Sequence, residues 1–318
     1  MAMLTPAQTA EVLRTLDDAA LLAHRDPDSD TIGAAVALCA ALRRSAKRAR
    51  VLCSDPFPER YAYLNIGEEP PEFEPACYVA VDVADPKLLG RYEDVPVRLC
   101  IDHHPSNRLY ARDTCLVPTA AATCEILFDI LALLGAELDP ALASALYSGI
   151  AGDTGCFRFT NTTARTHEAA AALMKAGAHA GNINRILFEQ KPLRYYEIER
   201  RALESLQLYA GGQCACIAIT REMKAECGAT DSDLENISSL PRSIEGVRVG
   251  ITLREQPDGR VRVSVRSVEP IDASVICAAL GGGGHARAAG CELSGPPEAA
   301  RERVLAAALP FLGADMPR

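Results

Sequence analysis

At roughly 150 residues per domain, a chain of 318 residues points to two domains, and its 48% apolar and 24% charged content is that of a globular protein with ample material for a core. Tryptophan is absent and aromatics make up 5%, so Ala, Leu, Val and Ile must do the packing. The formal charge of −9 argues against bulk binding of long duplex nucleic acid, but not against a small anion held by metal ions or a local basic pocket.

Met1 to Asp17 has no basic flank followed by an apolar stretch, so no secretory signal is expected. No apolar run approaches the roughly 18 residues of a membrane span, and a cytoplasmic chain is the expectation. Ala19–Ala23 is a short apolar run ending at His24, and Thr31–Leu42 has helical apolar spacing. Arg50–Cys53, Cys77–Val81 and Val97–Ile101 follow, each ending at a polar or acidic residue. Buried parallel strands read this way, and α/β proteins place ligands at the carboxyl ends of such strands. Helical patterns then dominate over Ala120–Leu134, Ala141–Ala151, Thr163–Ala176 and Leu193–Leu208. After Gly211–Gly212, the runs Cys214–Thr220, Val247–Glu255 and Arg260–Ser267 read as strands, with Pro-Asp-Gly turning the last two into a hairpin. Short helices are expected at Ile271–Ala279 and Glu298–Ala308. The expected architecture is therefore an α/β parallel-sheet domain over residues 1–190, a helical linker over 191–210 and a smaller α+β domain over 211–318. The twelve cysteines contain no C-x-x-C pair and mostly lie in apolar runs, which predicts reduced, buried thiols rather than a zinc site or a disulfide framework.

Four segments carry metal-capable groups at element ends. His24-Arg25-Asp26-Pro27-Asp28-Ser29-Asp30 lies between a predicted strand and a predicted helix, and imidazole with carboxylates suits divalent transition metals. The plainer reading is a turn and a helix cap. Asp82 closes the run Cys77–Val81, where a single aspartate is more often a turn-former. Asp102-His103-His104 closes Val97–Ile101; adjacent histidines cannot both ligate one ion on ordinary extended backbone, but one can hold a metal while the other faces substrate. Asp153 sits where a helical run meets the glycine-punctuated turn Gly149–Gly155. Together, two histidines and four aspartates suit a pair of ions such as manganese. A bridging Asp82 would hold them roughly 3.5–4 Å apart, and a water between them would ionise near neutral pH and attack phosphorus.

Gly281-Gly282-Gly283-Gly284-His285 offers a backbone nest for an anion, with His285 to bond a substrate oxygen; the alternative is a flexible hinge. It matches neither the phosphate-binding loop nor the dinucleotide fingerprint. Arg158, just past Asp153, and Arg262 and Arg266, on one face of a predicted strand, are candidates for bidentate phosphate contact or ordinary surface arginines.

On these residues the chain resembles the DHH phosphoesterase superfamily, named for the tripeptide seen here at Asp102–His104. It is similar to the short two-domain members that carry a DHH-associated domain with a G-G-G-H signature, here Gly282–His285. The resemblance spans about residues 15–310 and five motifs in the family's order. It implies a manganese-dependent site (Mn2+, with Mg2+ or Co2+ as substitutes) in a cleft between the parallel-sheet domain and the C-terminal domain. It further implies that His24, Asp28 and Asp82 bind the first ion and that Asp30, Asp82, His103 and Asp153 bind the second. Asp102 and His104 would be catalytic, with His104 beside the scissile phosphate. Arg158, Arg266, Gly282, Gly283, Gly284 and His285 would hold substrate. The stretches Gly152–Phe159 and Leu187–Gln190 are similar to those of the nanoRNase and pAp-phosphatase branch. Two departures are Ala34, where many relatives have serine, and the extra acid Asp26, which leaves a ligand swap with Asp28 open. The implied activity is hydrolysis of short oligonucleotides or pAp to nucleoside monophosphates. Cyclic or linear di-AMP is the runner-up substrate, and a non-catalytic nucleotide sensor is the reading from another class. The sequence leaves substrate preference, the metal and oligomeric state open, a homodimer among the options.

Overall fold

The computed structural model describes residues 2–64, 71–234 and 236–312. The chain divides into two compact units, Met1–Gln190 and Lys191–Arg318. In the first, β1 (Ala2–Met3), α1 (Pro6–Thr15), β2 (Ala19–Leu22), α2 (Ser29–Arg44), β3 (Ala49–Leu52), β4 (Cys77–Val81), β5 (Val97–Asp102) and β6 (Asp113–Leu116) are followed by α3 (Thr123–Leu134), α4 (Pro140–Asp153), α5 (Ala164–Lys175) and α6 (Ala180–Asn184). The six strands form one sheet in the order β1-β6-β5-β4-β2-β3, and every pairing is parallel. All four residues of β2 are buried, as a strand covered on both faces requires. Helix α1 and strand β6 went unread in the sequence. The first starts on a Thr5–Gln8 capping box with Pro6 in its first turn, a legible signal. The second is four residues, DTCL, with no periodicity of its own, and pairs with β5 only in the folded sheet.

Aromatic-poor packing works here because helices approach closely. Along α2, Ile32 to Cys39 is buried without interruption. A Cβ on Gly33 would lie 2.4 Å from the Ala145 carbonyl oxygen, so α2 meets the backbone of α4 directly. This contact orients the ends of both helices, and those ends carry Asp30 and Asp153.

The second unit contains α7 (Leu193–Glu204), β7 (Gln207–Tyr209), β8 (Cys214–Ile219), α8 (Arg221–Cys227), α9 (Asp231–Leu234), β9 (Val249–Glu255), β10 (Arg260–Ser267), α10 (Ala273–Ala278), β11 (Gly283–His285), β12 (Ala288–Ser294) and α11 (Pro297–Ala308). Its sheet runs β11-β12-β10-β9-β8-β7, with β8 and β9 parallel and the other pairs antiparallel. The helix expected to reach Leu208 ends at Glu204, and Gln207–Tyr209 becomes an edge strand. The cause is Ser205: its hydroxyl bonds the Ala202 and Ala218 carbonyls and accepts from the Ala218 N–H, fastening the chain to β8. Tyr195, Ile198 and Ala202 of α7 pack with Ile217, Ile219 and Cys227, so this helix is part of the second unit's body rather than a free connector. Odd-numbered residues of β9 and β10, Val249 to Leu253 and Val261 to Val265, form the opposite core beneath α10 and α11. All twelve cysteines are unbridged, and most are buried. Among the described residues no helix is long and apolar enough to cross a membrane.

Candidate metal centre and active site

Strand order dictates where the site lies. The chain steps from β2 outward to β3, then returns to the other side of β2 for β4, β5 and β6. The reversal falls between β2 and β4, and ligands of open parallel sheets bind outside the carboxyl ends at such a point. His24 follows β2, Asp82 follows β4 directly, and Asp102 closes β5 ahead of His103 and His104.

Asp82 is the centre. Its backbone takes a left-handed φ of 60°, which aspartate tolerates better than most residues, and its N–H donates to the Ile101 carbonyl (2.9 Å). The side chain is 3% exposed and is approached from three sides. His24 Nε2 lies 3.8 Å from Oδ2, His103 Nε2 3.7 Å from Oδ1 and His104 Nδ1 3.5 Å from Oδ1. The Thr123 hydroxyl donates to Oδ1 at 2.9 Å.

The two outer groups of ligands form on either side. His24, Asp28 and Asp82 bring one ligand atom each within 4.8 Å of one another, and Asp30, His103 and Asp153 do the same. Asp28 is also the N-cap of α2, its Oδ1 accepting from the Asp30 and Thr31 N–H groups. The plain capping reading and the ligand reading thus fall on one carboxylate. Asp26 lies outside these groups and its N–H binds Asp55 instead, so Asp28 is the acid facing His24. Asp30 is fully buried and accepts from the Thr123 and Cys124 N–H groups at the start of α3, whose own cap, Ala122, has no side-chain acceptor. Asp153 reaches the cluster because α4 presses on α2: a Cβ at Gly149 would fall 2.5 Å from Asp30 Oδ1, and one at Gly152 would fall 1.7 Å from Ser29 Oγ.

The electrostatics are those of crowded acids. Burial, then the neighbouring charge of Asp153, pushes Asp30 up to about 7. Burial and then Asp30, Asp28 and Asp153 raise Asp82 well above the carboxylate range. Asp153 is raised as well, chiefly by burial. Burial alone would lower His103, but the adjacent Asp153 carboxylate and the charge of Asp30 carry it up to about 9.

The donor set fits divalent cations. His103 Nδ1 bonds the Ala120 carbonyl (3.2 Å) and His24 Nδ1 the Arg25 carbonyl (2.7 Å), so Nε2 of each ring turns into the acidic cluster. His103 Nε2 is buried with no hydrogen-bond partner, although Asp153 Oδ2 lies 3.2 Å away. An orphaned imidazole nitrogen beside the Asp30, Asp82 and Asp153 carboxylates is what a cation between them would satisfy.

His104 is placed differently. Its Nδ1 bonds Asp102 Oδ1 (2.8 Å), and the side chain is 43% exposed, leaving Nε2 for another partner. Asp102 is fully buried and also accepts from the His103 and His104 N–H groups and from Asn107 Nδ2 (2.6 Å). Burial would raise it, but the His104 and Asn107 bonds hold it below the usual range. Sequence reading missed Asn107 and Thr123. Thr123 is the first residue of a readable helical run, directly after its cap Ala122; Asn107 carries no such signal, since its partner is set by the turn after β5.

Of the remaining expected residues, Arg158 belongs to the first unit. Arg158 is half-buried, donates to the Gly155 carbonyl (2.5 Å) and stacks 5.9 Å from the Phe188 ring centroid. Arg266, Gly282, Gly283, Gly284 and His285 belong to the second unit. Gly283–His285 is a regular edge strand, β11, paired with β12, so the glycine-rich stretch is not a hinge. Gly282 is required sterically: a Cβ there would sit 2.2 Å from the Gly290 carbonyl oxygen.

A parallel sheet whose strand ends deliver imidazoles and carboxylates to one buried cluster, followed by a mixed-sheet unit, defines a metal-dependent hydrolase of the phosphoesterase type. Residues 19–150 match the N-terminal domain of the DHH family, and residues 215–313 match the DHHA1 domain. The chain belongs to the DHH family. It is 34% identical to the bifunctional oligoribonuclease and PAP phosphatase NrnA of Thermus thermophilus, covering 94% of this chain and 91% of that one. Its identity to the Bacillus subtilis protein of the same name is 28%, over 93% and 96% of the two chains. It is 26% identical to the Listeria monocytogenes cyclic-di-AMP phosphodiesterase PdeA, but spans 48% of that protein's length. An exopolyphosphatase-related protein from Bacteroides fragilis has the same fold, with a TM-score of 0.86, 22% identity and 96% coverage of both chains.

Proposed function

We propose that this protein hydrolyses short oligonucleotides and pAp to nucleoside monophosphates, using two manganese ions in the Asp82 cluster. The observation that carries the reading is the convergence of His24 and His103 Nε2 on one buried carboxylate, each ring fixed by a backbone carbonyl. The near full-length similarity to proteins named oligoribonuclease and PAP phosphatase supports the substrate class. The similarity to a cyclic-di-AMP phosphodiesterase covers about half of that protein and supports the alternative less. A purely sensory role would not require every ligand position to be filled.

His24, Asp28 and Asp82 would hold one ion, and Asp30, Asp82, His103 and Asp153 the other. Bound there, divalent ions supply Lewis-acid neutralisation of the phosphoryl group and lower the pKa of water. The protein's own residues do the rest. Thr123 and the α3 N–H groups orient Asp82 and Asp30. Asp102, held by Asn107, fixes the His104 ring, and His104 would assist protonation of the departing oxygen. Arg158, Arg266, His285 and the N–H groups of Gly282, Gly283 and Gly284 would bind the non-scissile end of the substrate. The first unit carries the chemistry, the second grips the nucleotide, and the cytoplasm is the expected compartment.

The test is a panel of dinucleotides, pAp and cyclic di-AMP with manganese, magnesium or chelator, with products separated by chromatography. Manganese-dependent release of monophosphates from dinucleotides and pAp is expected, with loss in D82A and H103A. Wild-type rates in those two variants, folded and free of contaminants, would refute the proposal.

A further inference from the structure

Even-numbered residues of β9, β10 and β12 point away from the core formed with α10 and α11, and one row on that face carries a cationic pattern. Ala215, Gly250, Arg266, Ala288 and His285 are successive cross-strand partners from β8 to β11. Directly opposed residues project to the same face, so Arg266 and His285 share it, two strands or roughly 10 Å apart, with only the small Ala288 between them. On the other side of Arg266 stands Gly250, and its missing side chain is replaced by another segment. A Cβ on Gly250 would lie 2.5 Å from the Arg242 backbone nitrogen and 3.0 Å from Arg242 Cα and Cβ. The short turn Pro241–Ser243 is thus laid onto Gly250, which is paired with Arg266 on the next strand, roughly 5 Å from it.

Some guanidiniums of the second unit have carboxylate partners. Arg194 pairs with Asp233, Arg201 with Glu226, and Arg260 with Asp258 and Glu292. Among the described residues, no carboxylate pairs with Arg242 or Arg266, and Arg266 Nη1 reaches only the Val265 carbonyl, at 3.4 Å. Arg266 is half-buried, Arg242 exposed. Burial and then the like charge of Arg242 pull the Arg266 pKa down. The turn that carries Arg242 lies against the strand neighbour of Arg266, and neither cation has a carboxylate partner among the described residues, an arrangement that an external anion relieves.

We propose that Arg242 and Arg266 form a two-guanidinium subsite for a terminal phosphate monoester, and that Arg242 sets the preference for phosphate-ended over hydroxyl-ended nucleotides. The inference rests on the function proposed above and adds a specificity residue that sequence reading did not select. A monoester carries up to two charges against one for a diester, so the second guanidinium gains most from a terminal phosphate. Its planar fork adds bidentate contact that lysine lacks.

The test has two arms on the full-length protein. Calorimetry with AMP in chelator reads the subsite without metal or turnover. R242Q is expected to weaken AMP binding about tenfold, with R242K recovering part of the loss. Turnover of a dinucleotide with a 5′-phosphate and of the same dinucleotide with a 5′-hydroxyl reads the preference. R242Q should raise KM for the phosphorylated form about tenfold, leave kcat within twofold and leave the hydroxyl form unchanged. Because Arg242 is exposed, R242Q should melt within about 2 °C of wild type. Wild-type AMP affinity in R242Q, or no AMP binding by the wild-type chain, overturns the proposal. Failure of the wild type to cleave either dinucleotide overturns the catalytic reading instead, and the AMP arm still decides the subsite.

Discussion

Asp82→Asn separates a metal-binding carboxylate from a structural one by the sign of its effect. In the metal-free protein, Asp82 and Asp28 bring ligand oxygens within 4.8 Å of each other. At an effective dielectric of about 20, that repulsion is about 3.5 kcal/mol, and the half-exposed Asp28 brings it to about 1 kcal/mol after solvent screening. Asparagine keeps an oxygen for the Thr123 hydroxyl and, above the raised pKa of Asp82, removes its charge. Metal-free D82N should therefore melt at or slightly above the wild-type temperature, by about 2–4 °C for each kcal/mol relieved in a unit of this size. With manganese the order reverses. A single site at 100 times its dissociation constant stabilises the wild type by about 2.7 kcal/mol, about 5–11 °C, and D82N should lose most of that shift because Asp82 stands in both proposed ligand sets. The assay is thermal unfolding followed by circular dichroism across a manganese titration, with chelator as the zero point. A metal-free D82N that is destabilised by several kcal/mol while keeping the full manganese shift would refute the reasoning.

Three further outcomes are expected. Thr123→Val leaves all six proposed ligands in place but removes the donor to Asp82, and should weaken manganese affinity about 10- to 100-fold by equilibrium dialysis; unchanged affinity would mean Asp82 needs no orientation. Asn107→Ala strips one donor from buried Asp102 and should lower kcat about tenfold while manganese affinity stays within twofold; an equal loss in both would place Asn107 in the metal shell rather than behind His104. Gly152→Ala forces a methyl against the Ser29 side chain and should cost about 1–3 kcal/mol in denaturant unfolding, with partial recovery in the G152A/S29A double variant. Strict additivity there would show that α2 and α4 are not in register as described.

The sequence by itself determined the strands that matter. Cys77–Val81 reads as a buried strand because five consecutive apolar residues admit little else, and the polar residues that end such runs mark the ligand edge of a parallel sheet. It also named the chemistry, since His24, Asp28, Asp30, Asp82, His103 and Asp153 carry groups whose affinity for cations is intrinsic. Elements without periodicity of their own stayed hidden. β6 is held by its neighbour, and α7 stops where Ser205 finds β8. Only the tertiary structure decided which carboxylate faces which imidazole, because those distances are set by packing between elements far apart in the chain. Asp30 caps a helix that begins more than ninety residues later, and Asp153 arrives because two glycines let α4 close on α2. The turn that carries Arg242 is placed for the same reason: Gly250 on β9 leaves room for it, and no local pattern could assign it there.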